Sequence, residues 1–320
     1  MKIKGIGSAI PEKFISNEQT EQLLGLEHGW ALRRTGVRFR PCASPEEATS
    51  DLAVKAGQKA INDAGLDPED IKLLILATST PDYPLPPTAP EVAYRLGLKH
   101  AGAFDLAAAC AGFLYALAMG EAYGKWLNEP ILVIASNVLS KRTNPNDPST
   151  VTLFADGAGA VVLTPGESFL GTYLGADGSR YDKILIKAGG SRNPISTEAI
   201  RQGLHFMQMQ SGLELFRQAV RMMTYASKKA VESAGINISQ IDLWIPHQAN
   251  KRIIQETGRF LGIPPERTVC ILENYGNSSA ATIPIALDLA YQQNLLKPGF
   301  KLLLTAVGAG LVSAAIVLEW

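Results

Sequence analysis

The chain of 320 residues alternates amphipathic segments with short, continuously apolar ones. Amphipathic segments end at Ala-Gly pairs, residues 64–65 and 234–235, which predicts two helices terminated by a left-handed glycine. A short apolar run follows each helix, at Leu73–Ala77 and Leu243–Pro246. Runs of this length predict strands that are buried on both faces. Strands that alternate with helices indicate an α/β fold with a parallel-rich sheet.

The same series of elements occurs twice, at a constant distance along the chain. Residues 59–65 (KAINDAG) match residues 229–235 (KAVESAG), 170 positions later. The same shift relates residues 71–75 to 241–245 and residues 131–135 to 301–305. Three matches at one offset predict an ancient duplication. We expect an N-terminal half at residues 1–165 and a C-terminal half at residues 166–320.

Each half continues with a second helix, a short strand and a third helix rich in small residues. The second helices are predicted at Ala89–Leu96 and Lys251–Leu261, and the third near residues 110–123 and 278–292. Two such halves predict a five-layered α/β/α/β/α sandwich, with an active site at the seam. A polar insertion at residues 141–155 predicts a binding loop. The irregular segment at residues 171–210 is expected to link the halves.

Composition limits the classes of function. Lys plus Arg equals Asp plus Glu, 30 each, so net charge gives no support to a nucleic-acid partner. No apolar run approaches the roughly 18 residues that span a membrane. The cysteines Cys42, Cys110 and Cys270 fit no disulfide or metal spacing, and the four histidines form no metal motif. These features predict a cytoplasmic protein without a bound metal or a membrane partner.

Cys110 is the candidate nucleophile. It lies in FDLAAACAGF, residues 104–113, at a predicted strand-to-helix transition. The first N–H groups of a helix are unpaired and carry partial positive charge. A thiol at this position is expected to have a lowered pKa and raised nucleophilicity. The alternative interpretation is a small buried apolar residue, the usual environment of a free cysteine.

Two polar candidates lie in the C-terminal half. His247 follows the predicted strand Leu243–Pro246, at the strand end where α/β sheets bind ligands, and polar residues follow it. The alternative is a core histidine bonded to a carbonyl group. Asn277 precedes two serines in GNSS, residues 276–279. That sequence is equally typical of a helix N-cap in a turn.

The duplication relates these candidates to one another. Position 110 corresponds to position 280, directly after the GNSS segment that contains Asn277, and His247 follows the strand that corresponds to Leu73–Ala77. If the halves pack about a pseudo-two-fold axis, these junctions can converge into a Cys/His/Asn set suited to acyl chemistry. The turn at residues 307–310 (VGAG) ends the last predicted strand. Such a turn lets backbone N–H groups approach a ligand, as an oxyanion hole requires.

At these residues the chain resembles the β-ketoacyl-ACP synthase III family of the thiolase superfamily, where ACP is acyl carrier protein. The matching segments are residues 34–36, 105–117, 156–160, 246–250 and 276–281. The resemblance implies the thiolase fold and decarboxylative condensation of an acyl-CoA with malonyl-ACP. In that reaction Cys110 takes the acyl group, and His247 and Asn277 hold the malonyl thioester oxygen. The backbone N–H groups of Cys110 and Ala309 would form the oxyanion hole.

The resemblance also implies partners. Trp30, Arg34 and Asn250 match positions that hold the CoA or pantetheine arm. Arg252 matches a basic residue that meets the acidic carrier protein. A homodimer is implied, and no cofactor beyond the CoA and ACP thioesters is needed.

Several positions depart from members of the family that use acetyl-CoA. Pro148 stands where an Arg commonly contacts the CoA adenine, and Leu85 replaces a Phe that closes the acyl pocket across the dimer. Arg142 stands where a small neutral residue is usual. These departures resemble the branch that makes 3-oxopimeloyl-ACP for biotin synthesis, in which Arg142 would pair with the carboxylate of a glutaryl primer. The predicted primer pocket contains Leu85, Thr88, Arg142, Phe154 and Ser279.

Other functions are compatible with the same residues. The first is an acetyl-CoA-primed initiator of fatty-acid synthesis. The second is an acyltransferase that does not condense, and the third is a non-catalytic module that binds acyl-CoA or the carrier protein. For Arg142, a solvated loop charge is the alternative interpretation.

Overall fold

The computed structural model describes residues 1–210 and 212–320. The N-terminal half contains β1 (Lys2–Ala9), β2 (Phe14–Ser16), α1 (Asn17–Leu24), α2 (Trp30–Thr35), β3 (Phe39–Pro41), α3 (Thr49–Ala64), β4 (Leu73–Ala77), α4 (Ala89–Leu96), β5 (Gly102–Leu106), α5 (Gly112–Leu127), β6 (Ile131–Val138), α6 (Pro148–Val151) and β7 (Asp156–Thr164). The C-terminal half contains β8 (Phe169–Ala176), β9 (Ile184–Ile186), α7 (Thr197–Arg201), β10 (Met207–Met209), α8 (Gly212–Ser233), β11 (Leu243–Pro246), α9 (Lys251–Leu261), α10 (Leu272–Tyr275), α11 (Thr282–Gln292), β12 (Lys301–Gly308) and β13 (Val312–Glu319).

Two mixed sheets form the frame of the molecule. The first has the strand order β1-β7-β6-β4-β5, in which β4 runs parallel to β5 and β6. The second has the order β11-β12-β13-β8, in which β11 runs parallel to β12 and the other pairs are antiparallel. The order 8-13-12-11 in the second sheet repeats 1-7-6-4 in the first, as the duplication predicts.

The apolar residues divide into three layers of side-chain packing. The central cluster joins α5 and α11 to the facing surfaces of both sheets. A second cluster packs α3 and α4 on the outer face of the first sheet. A third packs α8 and α9 on the outer face of the second sheet. Helices and sheets therefore alternate in five layers, and the third helices of both halves share the middle one.

The offset of 170 positions persists in backbone detail. A Cβ on Gly5 of β1 would overlap the Ala60 carbonyl oxygen of α3, and one on Gly171 of β8 would overlap the Ala230 carbonyl oxygen of α8. Each glycine therefore lets a helix pack directly on an edge strand.

Residues 169–176 form a regular strand, so the predicted irregular segment at 171–210 is wrong over its first residues. Gly171 and Gly175 interrupt the apolar pattern that would have revealed the strand.

The second half departs from the first before its third helix. The expected short strand is reduced there to one isolated bridge between Trp244 and Thr268. The buried Gln248 side chain hydrogen-bonds to the nearby backbone groups. Its amide nitrogen donates to Val269 O (3.2 Å), and its oxygen accepts from Ile271 N (3.0 Å) and Leu272 N (3.1 Å). These bonds satisfy polar groups that a fifth strand would have paired.

The two halves share one core. Helix α11 packs against β1 and β7 of the opposite half, and the Ser8 hydroxyl lies 2.5 Å from the buried Asp288 carboxylate. The strands of the first sheet all lie within residues 1–165 and those of the second within 166–320. The division into halves at that boundary stays a prediction.

Within the part of the chain that the structure describes, none of the helices is long and apolar enough to cross a membrane.

Candidate active site

Cys110 lies in a tight turn, Ala109–Ala111, between β5 and the start of α5. Ala109 has a φ of 44°, a left-handed conformation that is uncommon for a residue with a side chain. Gly308, at the end of β12, packs against this turn, and a Cβ on it would lie 2.8 Å from the Cys110 nitrogen. Cys110, which is half-buried as a whole residue, is thus held between the two halves. Helix α5 begins at Gly112, slightly later than predicted.

A matching turn of the second half faces Cys110. It spans Ser279–Ala281, and Ser279 has a φ of 56°, at the position that corresponds to Ala109. The Ser279 hydroxyl donates to Cys110 Sγ at 3.4 Å. The Ser279 N–H donates to Asn277 Oδ1 at 2.9 Å. The two symmetry-related turns therefore bring the candidate thiol and the candidate amide to the same hydroxyl-bearing residue.

His247 reaches this cluster from the end of β11. Its backbone N–H donates to Thr305 O (2.7 Å), which continues the pairing of β11 with β12. The side chain is 1% exposed, and its Nδ1 lies 2.7 Å from the Thr282 hydroxyl. The same hydroxyl lies 3.0 Å from the Ser279 carbonyl oxygen. Burial lowers the pKa of His247 to about 3, so the imidazole is neutral near pH 7.

Thr282 is a site residue that the sequence interpretation missed. Its hydroxyl proton can point to His247 Nδ1 or to the Ser279 carbonyl, and this choice decides which imidazole nitrogen carries hydrogen. When the proton points to Nδ1, His247 is protonated on Nε2, a nitrogen that bonds to none of the described residues. The duplication offered no signal for this role, because Thr282 corresponds to Gly112.

Asn277 is fixed by a local strand-like pairing with the insertion of the first half. Its N–H donates to Leu153 O, and its carbonyl accepts from Ala155 N, both at 3.0 Å. Phe154, a predicted pocket residue, lies between these partners and forms a parallel bridge with Asn277. The Asn277 side-chain nitrogen makes one long contact, 3.4 Å to Ala249 O. It therefore retains donor capacity for a ligand.

The electrostatics of Cys110 differ from the prediction. Burial raises the pKa of its thiol above the ordinary value, and the hydrogen bond from Ser279 opposes that rise. The predicted lowering of the pKa is therefore wrong for the free protein. Removing a thiolate from water costs more free energy than the N–H groups at the start of α5 return. The resting thiol is therefore protonated at neutral pH. Its reactive thiolate form needs stabilisation from groups other than the N–H groups at the start of α5.

The predicted oxyanion donors are two backbone N–H groups beside the sulfur-bearing turn, those of Cys110 and Ala309. Ala309 directly follows Gly308, the residue that packs on the Cys110 nitrogen. In the described chain, the Ala309 N–H donates no loop hydrogen bond to another backbone group, and the Cys110 N–H lies close enough to its own sulfur to affect the pKa of the thiol. Both N–H groups can donate to an oxygen atom that is bound beside the sulfur.

The predicted CoA and carrier-protein residues cluster where α2 meets α9. The Arg34 guanidinium stacks on the Trp30 ring, 4.6 Å from its centroid. Asn250 caps α9 and donates to Arg34 O at 3.1 Å, while Arg252 donates to Arg33 O at 3.0 Å. These bonds join both helix ends into one basic rim. Whether the rim binds CoA or carrier protein stays a prediction.

The remaining predicted pocket residues lie on two loops. Leu85 is 82% exposed, while Thr88 is buried, and its hydroxyl accepts from Asp82 N at 3.0 Å. Arg142 is half-buried after β6, and its side chain joins none of the hydrogen bonds or ion pairs among the described residues. Among the described residues, none of these three side chains hydrogen-bonds to Cys110, whose sulfur bonds to Ser279. Of the predicted pocket, only Ser279 bonds to the sulfur, and Phe154 lies beside Asn277.

Two family models match this chain. The model for 3-oxoacyl-(acyl-carrier-protein) synthase III covers residues 104–178, and that for the synthase III C terminal covers residues 231–320. These matched segments contain Cys110, His247 and Asn277. The match therefore falls on both of the converging turns.

Full-length relatives extend the match to the whole chain. A 3-oxopimeloyl-(acyl-carrier-protein) synthase of Rhodothermus marinus is 54% identical over 99% of this chain and 93% of its own. A beta-ketoacyl-(acyl-carrier-protein) synthase III of Symbiobacterium thermophilum is 43% identical over 99% and 97%. The crystal structure of 3-oxoacyl-(acyl-carrier-protein) synthase III from Aquifex aeolicus VF5 is 37% identical, covers 100% of this chain and 99% of that chain, and has a TM-score of 0.91. The predicted thiolase fold is confirmed, and the chain belongs to the β-ketoacyl-ACP synthase III family of acyl-condensing enzymes.

Proposed function

We propose that this chain condenses a glutaryl thioester with malonyl-ACP to give 3-oxopimeloyl-ACP, with Cys110 as the acyl carrier. The observation that carries the catalytic part is the chain of contacts from Cys110 through Ser279 to Asn277 and, by way of Thr282, to His247. The product name of the Rhodothermus marinus relative supports the choice of primer. Two-carbon extension of a glutaryl group gives a 3-oxopimeloyl group.

The first half-reaction loads the primer. The Cys110 thiolate attacks the thioester carbonyl, and the new C–S bond forms as the carbonyl electrons move onto oxygen. The N–H groups of Cys110 and Ala309 donate to that oxyanion. Collapse of the intermediate breaks the bond to the CoA sulfur, and the CoA thiolate takes up from solvent the proton that the Cys110 thiol released to solvent before the attack. One such donor in a preorganised site contributes about 3 kcal/mol to the stability of the transition state.

The second half-reaction forms the carbon–carbon bond. When the Thr282 hydroxyl proton points to His247 Nδ1 instead of the Ser279 carbonyl, His247 carries its proton on Nε2, and this N–H and the Asn277 amide donate to the malonyl thioester oxygen. The bond to the carboxylate breaks, CO2 leaves, and the electron pair becomes an enolate whose charge lies on that oxygen. The enolate carbon then attacks the Cys110 thioester, and the Cys110 thiolate departs. Two neutral donors aimed at a developing oxyanion stabilise the transition state more than the substrate.

Arg142 is the proposed partner of the terminal carboxylate of the primer. Arg142 is half-buried as a residue, and its side chain engages none of the described side chains, whereas the neighbouring Lys141 ammonium donates to Pro45 O (2.9 Å) and Glu47 O (2.7 Å). A half-buried cation without a partner is unfavourable unless a ligand supplies the negative charge. A guanidinium can accept a carboxylate through two parallel hydrogen bonds.

The test compares primers on three proteins. We expect wild type to acquire a glutaryl group on Cys110, detected by intact mass, and then to release CO2 from malonyl-ACP. Arg142→Ala should lower kcat/KM for glutaryl-CoA about tenfold to a hundredfold, the effect of one charged hydrogen bond, and leave acetyl-CoA unchanged. Lys141→Ala is the matched control, because its charge is already engaged.

Other outcomes would select other functions. Preference of wild type for acetyl-CoA would indicate an initiator of fatty-acid synthesis, the activity of many family members. Acyl transfer without CO2 release would indicate an acyltransferase that does not condense. Binding of acyl-CoA without any mass change at Cys110 would indicate a non-catalytic module.

The proposal includes partners and a compartment. The exposed Arg252 lies on the basic rim and suits an acidic carrier protein. The three cysteines are free, which favours the reducing cytoplasm. A homodimer is proposed because β5 is the edge strand of the first sheet and apolar side chains are exposed beside it.

A further inference from the structure

Ser279 contacts three parts of the site at once. Its hydroxyl donates to Cys110 Sγ (3.4 Å), its N–H donates to Asn277 Oδ1 (2.9 Å), and its carbonyl lies 3.0 Å from the Thr282 hydroxyl that meets His247. In the described chain, Ser279 is the only side chain that hydrogen-bonds the sulfur. The residue is 3% exposed. The hydroxyl of Ser279 therefore contacts the reacting sulfur itself, which makes a role in the chemistry of Cys110 more direct than a role in lining a primer pocket.

The backbone of Ser279 is held in a conformation that side chains disfavour. Its φ of 56° is left-handed, which for a residue other than glycine costs about 1–2 kcal/mol. The Ser279 N–H donates to Asn277 Oδ1. Gly276, three residues before Ser279, also has a positive φ (60°). The corresponding residue of the first half, Ala109, has the same left-handed conformation (φ 44°) without a hydroxyl, so the feature particular to Ser279 is the hydroxyl group that reaches the sulfur.

The described residues around the sulfur provide no charge that could stabilise a thiolate. His247 is neutral, and the Asp105 carboxylate of β5 accepts from the N–H groups of Thr88 and Ala89. The Tyr115 hydroxyl on α5 donates to Gly175 O. The other ionisable side chains on the elements packed against this turn lie far along α5 or at the distant ends of β12 and β13: Glu121, Tyr123, Lys125, Lys301 and Glu319. Stabilisation of the Cys110 thiolate must therefore come from neutral hydrogen-bond donors.

We propose that Ser279 is a catalytic residue whose hydroxyl donates a hydrogen bond to Cys110 Sγ and stabilises its thiolate form. It acts twice, first when the thiolate attacks the primer and again when the sulfur departs as the carbon–carbon bond forms. No proton is transferred; the Ser279 O–H bond stays intact and points at the charged sulfur. The inference rests on the proposed function only in taking Cys110 as the nucleophile.

The experiment measures alkylation of Cys110 by iodoacetamide as a function of pH, with peptide mapping. This reagent is neutral and carries no acyl chain, so primer recognition does not enter. Ser279→Ala and Ser279→Gly both remove the hydroxyl, while glycine also relieves the left-handed strain. We expect both variants to alkylate Cys110 about tenfold more slowly at neutral pH, with the profile moved to higher pH. The exposed Cys270 is the internal reference and should react at the wild-type rate.

Each other result overturns the proposal. An unchanged Cys110 profile combined with altered preference between glutaryl-CoA and acetyl-CoA would make Ser279 a pocket residue. A loss in Ser279→Ala that Ser279→Gly restores would assign the effect to the backbone. The proposed condensation fails separately, if wild type releases no CO2 from malonyl-ACP, and the alkylation profiles can be measured in that case as well.

Discussion

The neutral state of His247 determines how condensation responds to pH. Since burial lowers the pKa of its imidazole to about 3, it neither gains nor loses a proton near neutrality. We expect condensation by enzyme that is already acylated to be nearly independent of pH from about 5 to about 8. The acylation step should instead accelerate with rising pH, because burial raises the pKa of the Cys110 thiol.

Single-turnover measurements separate the two steps. Acyl-enzyme prepared in advance is mixed with malonyl-ACP at each pH, and CO2 release is followed by rapid quench. Loading is measured separately by intact mass. A loss of condensation as the pH falls through about 6.5, the ordinary value of a histidine, would contradict the assignment of His247 as a buried neutral donor.

The sequence predicted which residues belong to the site better than it predicted the contacts that join them. Cys110, His247 and Asn277 could be selected because the duplication related their positions. The hydroxyl groups of Ser279 and Thr282 join them, and these contacts depend on side-chain rotamers that no local pattern encodes. The direction of the Cys110 pKa shift was wrong for a related reason. Local sequence shows the start of a helix, but not how far the surrounding halves exclude water.

Repeated elements were the most predictable part of the fold. Both second helices, Ala89–Leu96 and Lys251–Leu261, and the strands Leu73–Ala77 and Leu243–Pro246 have the bounds that their apolar patterns predict. The missing fifth strand of the second sheet was not predictable. Its replacement depends on one buried side chain, Gln248, which bonds to the backbone of a segment more than twenty residues away.

The junction of β12 with the Cys110 turn gives a prediction for a single element. A Cβ on Gly308 would lie 2.8 Å from the Cys110 nitrogen and 3.1 Å from the Ala111 nitrogen. Because these neighbours are backbone atoms, they cannot rotate away, and the turn must shift. We expect Gly308→Ala to slow acylation of Cys110 at least tenfold, since displacement of an oxyanion donor has effects of that size.

Gly178→Ala is the matched control, because a Cβ there meets nothing within 4 Å. Both variants are compared by thermal unfolding and by intact-mass acylation kinetics. Acylation of Gly308→Ala at the wild-type rate would show that the close packing of β12 on the turn has no role in the chemistry.

The whole molecule depends on the seam between its halves. Helix α11 of the second half packs on β1 and β7 of the first, and Asp288 on that helix binds Ser8. Cys110 comes from one half, while His247, Asn277 and Ser279 come from the other. The site therefore exists only when the halves are packed together. The apolar side chains of the middle layer likewise come from both halves and form one cluster.

The edge of the first sheet gives the last prediction, at the scale of the assembly. Strand β5 has an unpaired edge, and beside it lies an apolar groove lined in part by Phe104, Met119, Tyr123 and Trp126, whose side chains are 40–76% exposed. Asp105 on β5 binds the N–H groups of Thr88 and Ala89, and so ties the loop of Leu85 to this edge. Pairing of two copies along β5 would cover the groove and bring each Leu85 loop to the other copy.

We therefore expect wild type to have the mass of a dimer by light scattering at micromolar concentration, and Trp126→Asp to have that of a monomer. A buried charge at such an interface costs several kcal/mol, enough to shift the equilibrium by orders of magnitude. Tyr94→Asp is the control, because Tyr94 is also an exposed aromatic residue (82%) but does not line the groove. The monomeric variant should also lose primer selectivity, since the Leu85 loop no longer meets a second copy. A Trp126→Asp protein that remains dimeric would show that the copies associate through another surface.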